Sequence, residues 1–148
     1  MTRRAYATQA RILRSVRGET CVRAETGAYA WSLLLDFGTL QAPDADGYRA
    51  PAYGLVVECP WRLEDRTQVV AGSNDDAETV DARLQLCVGR RLTRVVVYQP
   101  SFMVHIYLED GLSLWVFPDN PRDYAASTEP PYSAWYVAGH KADASWED

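Results

Sequence analysis

The chain has 148 residues, of which 47% are hydrophobic and 24% charged, and this length and composition fit one globular domain. Its formal net charge is −5. An acidic body argues against a nucleic-acid partner, which would need a basic patch, and no apolar run approaches the roughly eighteen residues of a membrane-spanning helix.

Residues 4–17 are predicted to form an amphipathic helix that is closed by Gly18. Residues 1–23 hold six Arg against one acid, whereas the rest of the chain holds nine Lys or Arg against nineteen acids. One side of the helix is aliphatic and the other basic: Ala5, Ile12, Leu13 and Val16 against Arg3, Arg4, Arg11 and Arg14. We expect the small aliphatic side to dock on its own domain, and binding to a membrane surface is the alternative.

Two strands and a hairpin are predicted between the two helices. Apolar alternation predicts one strand over residues 28–37 and another over residues 53–59. The Pro, Asp and Gly content of residues 41–51 predicts a loop between them. Residues 60–70 are expected to form a hairpin around Glu64-Asp65.

A second helix is predicted after the polar loop 72–78, with Asp76 as its N-cap. Apolar residues recur at helical spacing before the closing Gly89, namely Val80, Leu84, Cys87 and Val88. The acids in this region lack the spacing of a calcium loop, so no metal site is predicted. The three cysteines, Cys21, Cys59 and Cys87, match neither a disulfide framework nor a zinc site.

The longest β pattern runs from Leu92 to Pro118 and predicts an antiparallel meander of three strands. A two-residue loop at Asp110-Gly111 would place Ile106 opposite Trp115 and mix both faces. A three-residue loop gives one aliphatic and one aromatic face, because a slip of one residue moves every side chain across the sheet. We therefore predict a type I turn over residues 109–111, closed by a left-handed Gly111. The facing pairs are then Leu108 with Leu112, Ile106 with Leu114, and Val104 with Val116.

After Pro118 the chain is predicted to be loop up to a last strand over residues 132–138. Residues 1–5 and 141–148 are expected to be frayed. No internal repeat is evident in the sequence. Because one helix alone lies between strands, parallel crossovers are disfavoured. We predict a single α+β domain, residues 1–148, with a mostly antiparallel sheet of about six to seven strands and two short helices.

Four stretches carry a resemblance to other proteins. They are CPWRLE (59–64), VVAGSND (69–75), DGLSLWVFPD (110–119) and AWYVAGH (134–140). These stretches resemble a family of small uncharacterised bacterial proteins, and the similarity covers roughly the last two thirds of the chain. The family has no assigned activity. The resemblance therefore implies a bacterial α+β protein of one domain and supplies no catalytic residues.

No nucleophile elbow, paired-histidine motif or phosphate loop occurs, so the chain is interpreted as non-enzymatic and without a cofactor. It holds five Trp and nine Tyr, and aromatic residues are enriched at binding surfaces. The aromatic face of the meander must either be covered by another part of the chain or serve as a binding surface. We predict that it contributes to a binding site formed by Met103, His105, Tyr107, Trp115 and Phe117.

The leading functional hypothesis is a cytoplasmic protein-binding domain of the immunity or antitoxin type, whose acidic body neutralises a basic partner. A small-molecule-binding domain or weak enzyme that uses Met103, His105 and Trp115 is one alternative. A subunit of a larger bacterial assembly is the other, and self-association stays open. The expected partner is a protein, with neither nucleic acid nor membrane involved.

Overall fold

The computed structural model describes residues 3–27, 32–118 and 134–143. Within these residues it contains nine strands and three α-helices: α1 (Arg3–Ser15), β1 (Cys21–Thr26), β2 (Leu33–Phe37), β3 (Tyr53–Val57), β4 (Trp61–Glu64), β5 (Val69–Gly72), α2 (Ala77–Leu84), β6 (Leu92–Val97), β7 (Val104–Leu108), β8 (Ser113–Val116), β9 (Trp135–Ala138) and α3 (His140–Asp143). The predicted α+β class is confirmed, although the strands outnumber the expected six or seven.

The strands form two antiparallel sheets, with the orders β1-β2-β3-β9 and β5-β4-β8-β7-β6. Apolar side chains from both sheets, together with those of α1 and α2, form one buried cluster. Phe37 and Trp135 of the first sheet and Ile106 of the second are among the largest fully buried side chains. Each sheet therefore has an inner face on the core and an outer face turned away from it.

The predicted register of the central hairpin is confirmed. Ile106 faces Leu114 and Val104 faces Val116. These residues are at most 1% exposed, so the aliphatic face covers the core as expected. The loop has the predicted three residues, but it is not a type I turn. Asp110 has a φ of 61° where that turn requires a negative value, and Gly111 follows with a φ of 79°. Aspartate tolerates the left-handed region better than most residues.

Both predicted helices are present. In α1 the side chains of Ile12 and Leu13 are buried, while Arg11 and Arg14 are exposed. The carboxylate of Asp76 caps α2 by accepting a hydrogen bond from the backbone N–H of Thr79 at 2.9 Å.

The inclusion of Val88 in the apolar stripe of α2 is wrong, because this residue is 40% exposed. The chain leaves the helix through a 3₁₀ turn at Gln85–Cys87, and Val88 already has an extended backbone. The side chain of Val88 therefore points away from the core, whereas that of Cys87 is buried in it.

Strand β1 is the main element that the sequence did not predict. Its residues, CVRAET, have weak β propensity and a register irregularity between Cys21 and Arg23. The strand predicted over residues 28–37 is observed from Leu33 onward, and the strand predicted over residues 132–138 is observed from Trp135 onward. Residues 28–31 and 132–133 lie outside the described residues. Residues expected to be frayed also belong to helices at both ends, and Ala142 of α3 is fully buried.

Side chains of the helices cap both edges of the four-stranded sheet. The backbone N–H of Thr26 in β1 donates to Oδ1 of Asp81 in α2 at 2.9 Å. In β9 the N–H of Val137 donates to Oε1 of Gln9 in α1 at 2.8 Å. Such caps satisfy edge groups that would otherwise be open to pairing with another chain.

The hairpins β1-β2 and β6-β7 have the same register at a constant offset of 71 residues, from Cys21 to Leu92. Cys21 pairs with Phe37, and Leu92 pairs with Leu108. In both hairpins the register shifts directly after this first pair. The structure therefore contains an internal repeat that the sequence does not show, because the two halves share a backbone path rather than a recognisable sequence.

Reciprocal hydrogen bonds indicate an approximate two-fold axis between the two halves. Each hairpin follows a left-handed glycine, Gly18 in the first half and Gly89 in the second. The N–H of Gly18 donates to the carbonyl of Leu92 at 2.8 Å, and the N–H of Gly89 donates to the carbonyl of Cys21 at 2.8 Å. The same offset of 71 residues converts one hydrogen bond into the other.

Each half contributes strands to the sheet of the other half: β4 and β5 in one direction and β9 in the other. Strand β4 pairs with β8 so that Trp61 faces Val116, and β9 pairs with β3 so that Trp135 faces Val57. Trp61 and Trp135 are equivalent under the approximate two-fold axis, and both are buried. Each sheet therefore contains strands from both halves of the chain.

Candidate functional site

The outer face of the five-stranded sheet carries a cluster of aromatic side chains, here called the aromatic face. Strands β6, β7 and β8 and the residues next to them present these side chains, because alternate residues of a strand point to the same side. The aromatic face consists of Tyr98, Met103, His105, Tyr107, Trp115 and Phe117. The structure thus brings together all five residues that the sequence predicted for the site and adds Tyr98.

Trp115 lies at the centre of the aromatic face. Its ring stacks on the imidazole of His105, with 3.6 Å between centroids and 15° between planes. Phe117 lies 6.1 Å from the indole on the same strand, and Tyr98 lies 6.2 Å away. Tyr107 contacts the other side of the cluster at 4.1 Å from His105. The rings hold one another in place, which reduces the entropy that a partner would have to remove on binding.

The aromatic face is only partly covered by the described residues. Met103, Tyr107, Trp115 and Phe117 are half-buried, and Tyr98 is 37% exposed. Helices α1 and α2 make their main contacts with the edge strands β1, β5, β6 and β9. Among the described residues, helices α1 and α2 therefore leave the aromatic face uncovered, whereas the inner face of each sheet packs on the core.

Two arginines flank the aromatic rings. The guanidinium of Arg62 on β4 lies over Phe117, 5.2 Å from the ring centroid, and that of Arg94 on β6 lies over Tyr107 at 5.4 Å. Both distances fit cation–π contacts. Nε of Arg62 also donates to Oε1 of Glu64 at 2.5 Å. Sequence analysis missed both arginines, because their closeness to the rings depends on how the strands are paired.

His105 is the most unusual residue of the aromatic face. It is only 7% exposed, and neither of its ring nitrogens has a hydrogen-bond partner in the described structure. Burial lowers the pKa of His105, nearby Glu64 opposes this shift, and Arg94 and Arg62 add to it. The imidazole is therefore neutral at pH 7, and its buried polar atoms cost free energy unless something binds them.

The approximate two-fold axis offers an internal comparison for these residues. In the five-stranded sheet, His105 faces Trp115 and Trp115 faces Arg62. The equivalent row of the four-stranded sheet is Leu34, Val56 and Tyr136. The same backbone thus forms with the aliphatic residues Leu34 and Val56 at the positions of His105 and Trp115.

The arginine position is shared between the two halves, but its partner differs. Arg94 faces Tyr107 in the second half, and Arg23 faces Asp36 in the first. Arg23 forms an ion pair with Asp36, with 2.6 Å between Nε and Oδ2. Arg23 also donates from Nη2 to the carbonyl of Arg49 at 3.1 Å, so it fastens the loop over residues 39–51 to the sheet.

Two cavities lie away from the aromatic face. One of about 370 Å³ lies on the outer face of the four-stranded sheet, between Asp36, Tyr48 and His140. The other, of about 420 Å³, lies between β1 and α2 beside Asp81. Neither is lined by Met103, His105 or Trp115, which the alternative small-molecule hypothesis requires.

Other chemistry has little support in the described part of the chain. No group of three or more His, Cys, Asp or Glu side chains there is arranged to hold a metal ion. Cys21, Cys59 and Cys87 are unpaired and buried. Burial raises the pKa of Cys21 and of Cys87 to about 12, which makes these thiols poor nucleophiles at neutral pH. No described helix is both long and apolar enough to cross a membrane.

Comparison of the chain with protein-family models, with curated proteins and with solved structures finds no match. The resemblance to small bacterial proteins therefore stays a prediction.

Proposed function

We propose that the protein is a non-enzymatic protein-binding domain and that the aromatic face is its binding surface. One observation carries the proposal: a preorganised cluster of partly exposed aromatic rings, centred on Trp115 and flanked by Arg62 and Arg94, occupies a sheet face that the helices leave open. Trp, Tyr and Arg are the residues most enriched among interface hot spots.

The internal comparison separates this proposal from a purely structural role. If the fold required aromatic rings on an outer sheet face, the four-stranded sheet would need them too. That sheet instead has Leu34 opposite Val56, where the five-stranded sheet has His105 opposite Trp115. The aromatic side chains therefore exceed what the backbone demands, and binding gives a physical reason for them.

Charge bears on the kind of partner. The expected role as a neutraliser of a basic partner rests on the net charge of −5. The aromatic face itself contains Arg62 and Arg94, and the acid beside it, Glu64, is already paired with Arg62. Neutralisation of a basic protein would therefore use a different part of the surface, and we place the primary contact of the proposed domain at the aromatic face. The proposed setting is the bacterial cytoplasm, in keeping with three buried cysteines that form no disulfide.

The alternatives differ in what they require of the surface. A subunit of a larger assembly would use the same aromatic face, and its partner would be a permanent one. A small-molecule binder is favoured by a different observation, namely the cavity near Asp36 and His140. Burial raises the pKa of Asp36, although Arg23 opposes the shift. The carboxyl group in that cavity is therefore a weaker acid than an ordinary aspartate.

Affinity capture with matched variants tests the proposal. The tagged protein is exposed to extracts of the cells that express it, alongside Trp115→Val, which installs the residue found at the equivalent position Val56. We expect a protein that the wild type retains and the variant loses, because an interface centre depends on its large aromatic anchor. Circular dichroism and thermal unfolding check that the variant is folded.

The matched control is Tyr136→Ala, which removes an aromatic ring from the outer face of the other sheet. It should retain the captured protein at the wild-type level. Equal retention by all three proteins would contradict a role of the aromatic face, and loss in Tyr136→Ala alone would move the site to the four-stranded sheet.

A further inference from the structure

The two arginines of the aromatic face have unused hydrogen-bonding capacity. Within the described residues, Arg62 donates from Nε to Glu64, and Arg94 makes a cation–π contact with Tyr107. The terminal nitrogens of both guanidinium groups have no hydrogen bond to a described residue. A guanidinium resting on an aromatic ring keeps its edge free, and that edge matches a carboxylate in a bidentate hydrogen bond.

The pairing of the strands fixes the distance between these groups. Arg62 lies over Phe117, and Arg94 lies over Tyr107. Arg62 on β4 faces Trp115, which faces His105, and Arg94 on β6 faces Tyr107. The two arginines therefore lie two residues apart along the strands and three strands apart across the sheet, a lateral distance of roughly 14 Å.

The space between the arginines is apolar and aromatic, with Trp115 partly exposed at its centre. An extended peptide laid across the strands, from β4 to β6, places alternate side chains on the same side, and its residues i and i+4 are separated by roughly 13–14 Å. Residue i+2 of such a peptide would then lie over the Trp115–His105 stack.

We propose that the aromatic face binds an extended acidic segment of a protein partner, with carboxylates at residues i and i+4 on Arg62 and Arg94 and an apolar side chain at i+2 on Trp115. This inference rests on the proposed protein-binding function and names the chemistry of the partner. Charge complementarity selects this occupant, because an extended basic segment would place like charges against both arginines.

Three defined peptides test the inference. The acidic probe is acetyl-Glu-Thr-Leu-Thr-Glu-amide, and its analogues carry Gln or Lys in place of both Glu residues. Binding is followed by two-dimensional NMR at the indole N–H of Trp115 and the ring protons of His105. We expect the acidic probe to bind about tenfold more tightly than the Gln analogue at low ionic strength, with the Lys analogue weakest and the advantage reduced by added salt.

Variants assign the effect to the two arginines. Arg62→Gln and Arg94→Gln should each remove part of the advantage of the acidic probe over the Gln analogue. Glu64→Gln should increase it, because it frees Arg62 from its present partner. Arg83→Gln on α2 is the matched control and should leave binding unchanged, since this arginine contacts the carbonyl of Val70 instead.

The outcomes separate the inference from the function on which it rests. Equal binding of the acidic and Gln probes at Trp115 overturns the acidic-segment inference and leaves a binding role for the aromatic face. Preference for the Lys probe also overturns it and favours a basic partner at this face. If no probe shifts the Trp115 and His105 signals, the inference fails, and affinity capture with Trp115→Val then decides the proposed function separately.

Discussion

His105 occupies a position at which packing alone calls for an apolar side chain. Its equivalent in the other half is Leu34, which fills the same place in the sheet without polar atoms. The two ring nitrogens of His105 are buried and have no hydrogen-bond partner among the described residues. The residue therefore carries a desolvation cost that its stacking on Trp115 offsets only in part.

His105→Leu should leave the free energy of unfolding unchanged or raise it, by up to about 1–3 kcal/mol, since an unsatisfied buried polar group costs about that much. Urea unfolding followed by circular dichroism measures the change. His140→Leu is the control, because His140 lies on the other side of the molecule near the carbonyl of Thr39. A clear loss of stability in His105→Leu would show that the imidazole has a bonding partner.

The same variant should alter the pH dependence of stability. Burial lowers the folded-state pKa of His105 below its ordinary value of 6.5, with Glu64 opposing and Arg94 and Arg62 reinforcing the shift. Between the lowered pKa and 6.5 the unfolded chain binds more protons, so the stability of the wild type falls as the pH falls through this window. The variant should lack this share of the decrease. Equal losses of stability on acidification in both proteins would contradict the account.

At the scale of residues, alternation along each strand was enough to predict which side chains share the aromatic face. Met103, His105 and Tyr107 alternate with the core residues along β7, and Trp115 and Phe117 do so after the turn, so all five point to the same side of the sheet. Arg62 and Arg94 could not be found in this way, because they belong to strands whose order the sequence does not specify. The available signal was that Arg94 and Val96 on β6, and Tyr98 just after it, alternate with the residues on the other face.

The central hairpin is the element on which the aromatic face depends. A three-residue loop sets its register, and a shift of one residue would exchange the aromatic and aliphatic faces. Two consecutive left-handed residues, Asp110 and Gly111, make this loop tight. Sequence reasoning predicted the length of the loop because only one length separates the faces. It could not predict the turn type, which depends on how well Asp110 tolerates a positive φ.

Gly111→Val should lower the free energy of unfolding by at least about 1–2 kcal/mol, since a β-branched residue is strained in the left-handed region. A Cβ atom at Gly111 would also lie 2.4 Å from Nε of Arg66, which must move. Chemical denaturation measures the loss, with Ser113→Ala on the adjoining strand as the control. A variant as stable as the wild type would show that the loop can adopt another conformation.

At the scale of the whole molecule, the chain is built from two interleaved halves. Strands β4 and β5 complete the sheet of the second half, and β9 completes that of the first. Sequence analysis predicted the antiparallel α+β class from strand patterns and the scarcity of helices. It did not reveal the repeat, because the two halves share hydrogen-bond register and glycine positions such as Gly18 and Gly89 while their side chains differ.

This exchange of strands predicts how the chain responds to division. Fragments 1–73 and 74–148 should each be unfolded alone, because the first lacks β9 and the second lacks β4 and β5, which leaves apolar core surface exposed. Mixed together they should restore the spectrum of the intact protein. Two-dimensional NMR of each fragment and of the mixture measures this outcome. A dispersed spectrum from either fragment alone would contradict the interleaved architecture.

The affinity of a captured partner for Trp115→Val tests the central claim most directly. Titration calorimetry compares the wild type, this variant and Tyr136→Ala with the same partner, after thermal unfolding has shown that all three are folded. If the aromatic face is the binding surface, Trp115→Val should lose at least about 2 kcal/mol of binding free energy, roughly a 30-fold rise in Kd, while Tyr136→Ala keeps the wild-type affinity. A change of less than about twofold in Kd for Trp115→Val would contradict the account.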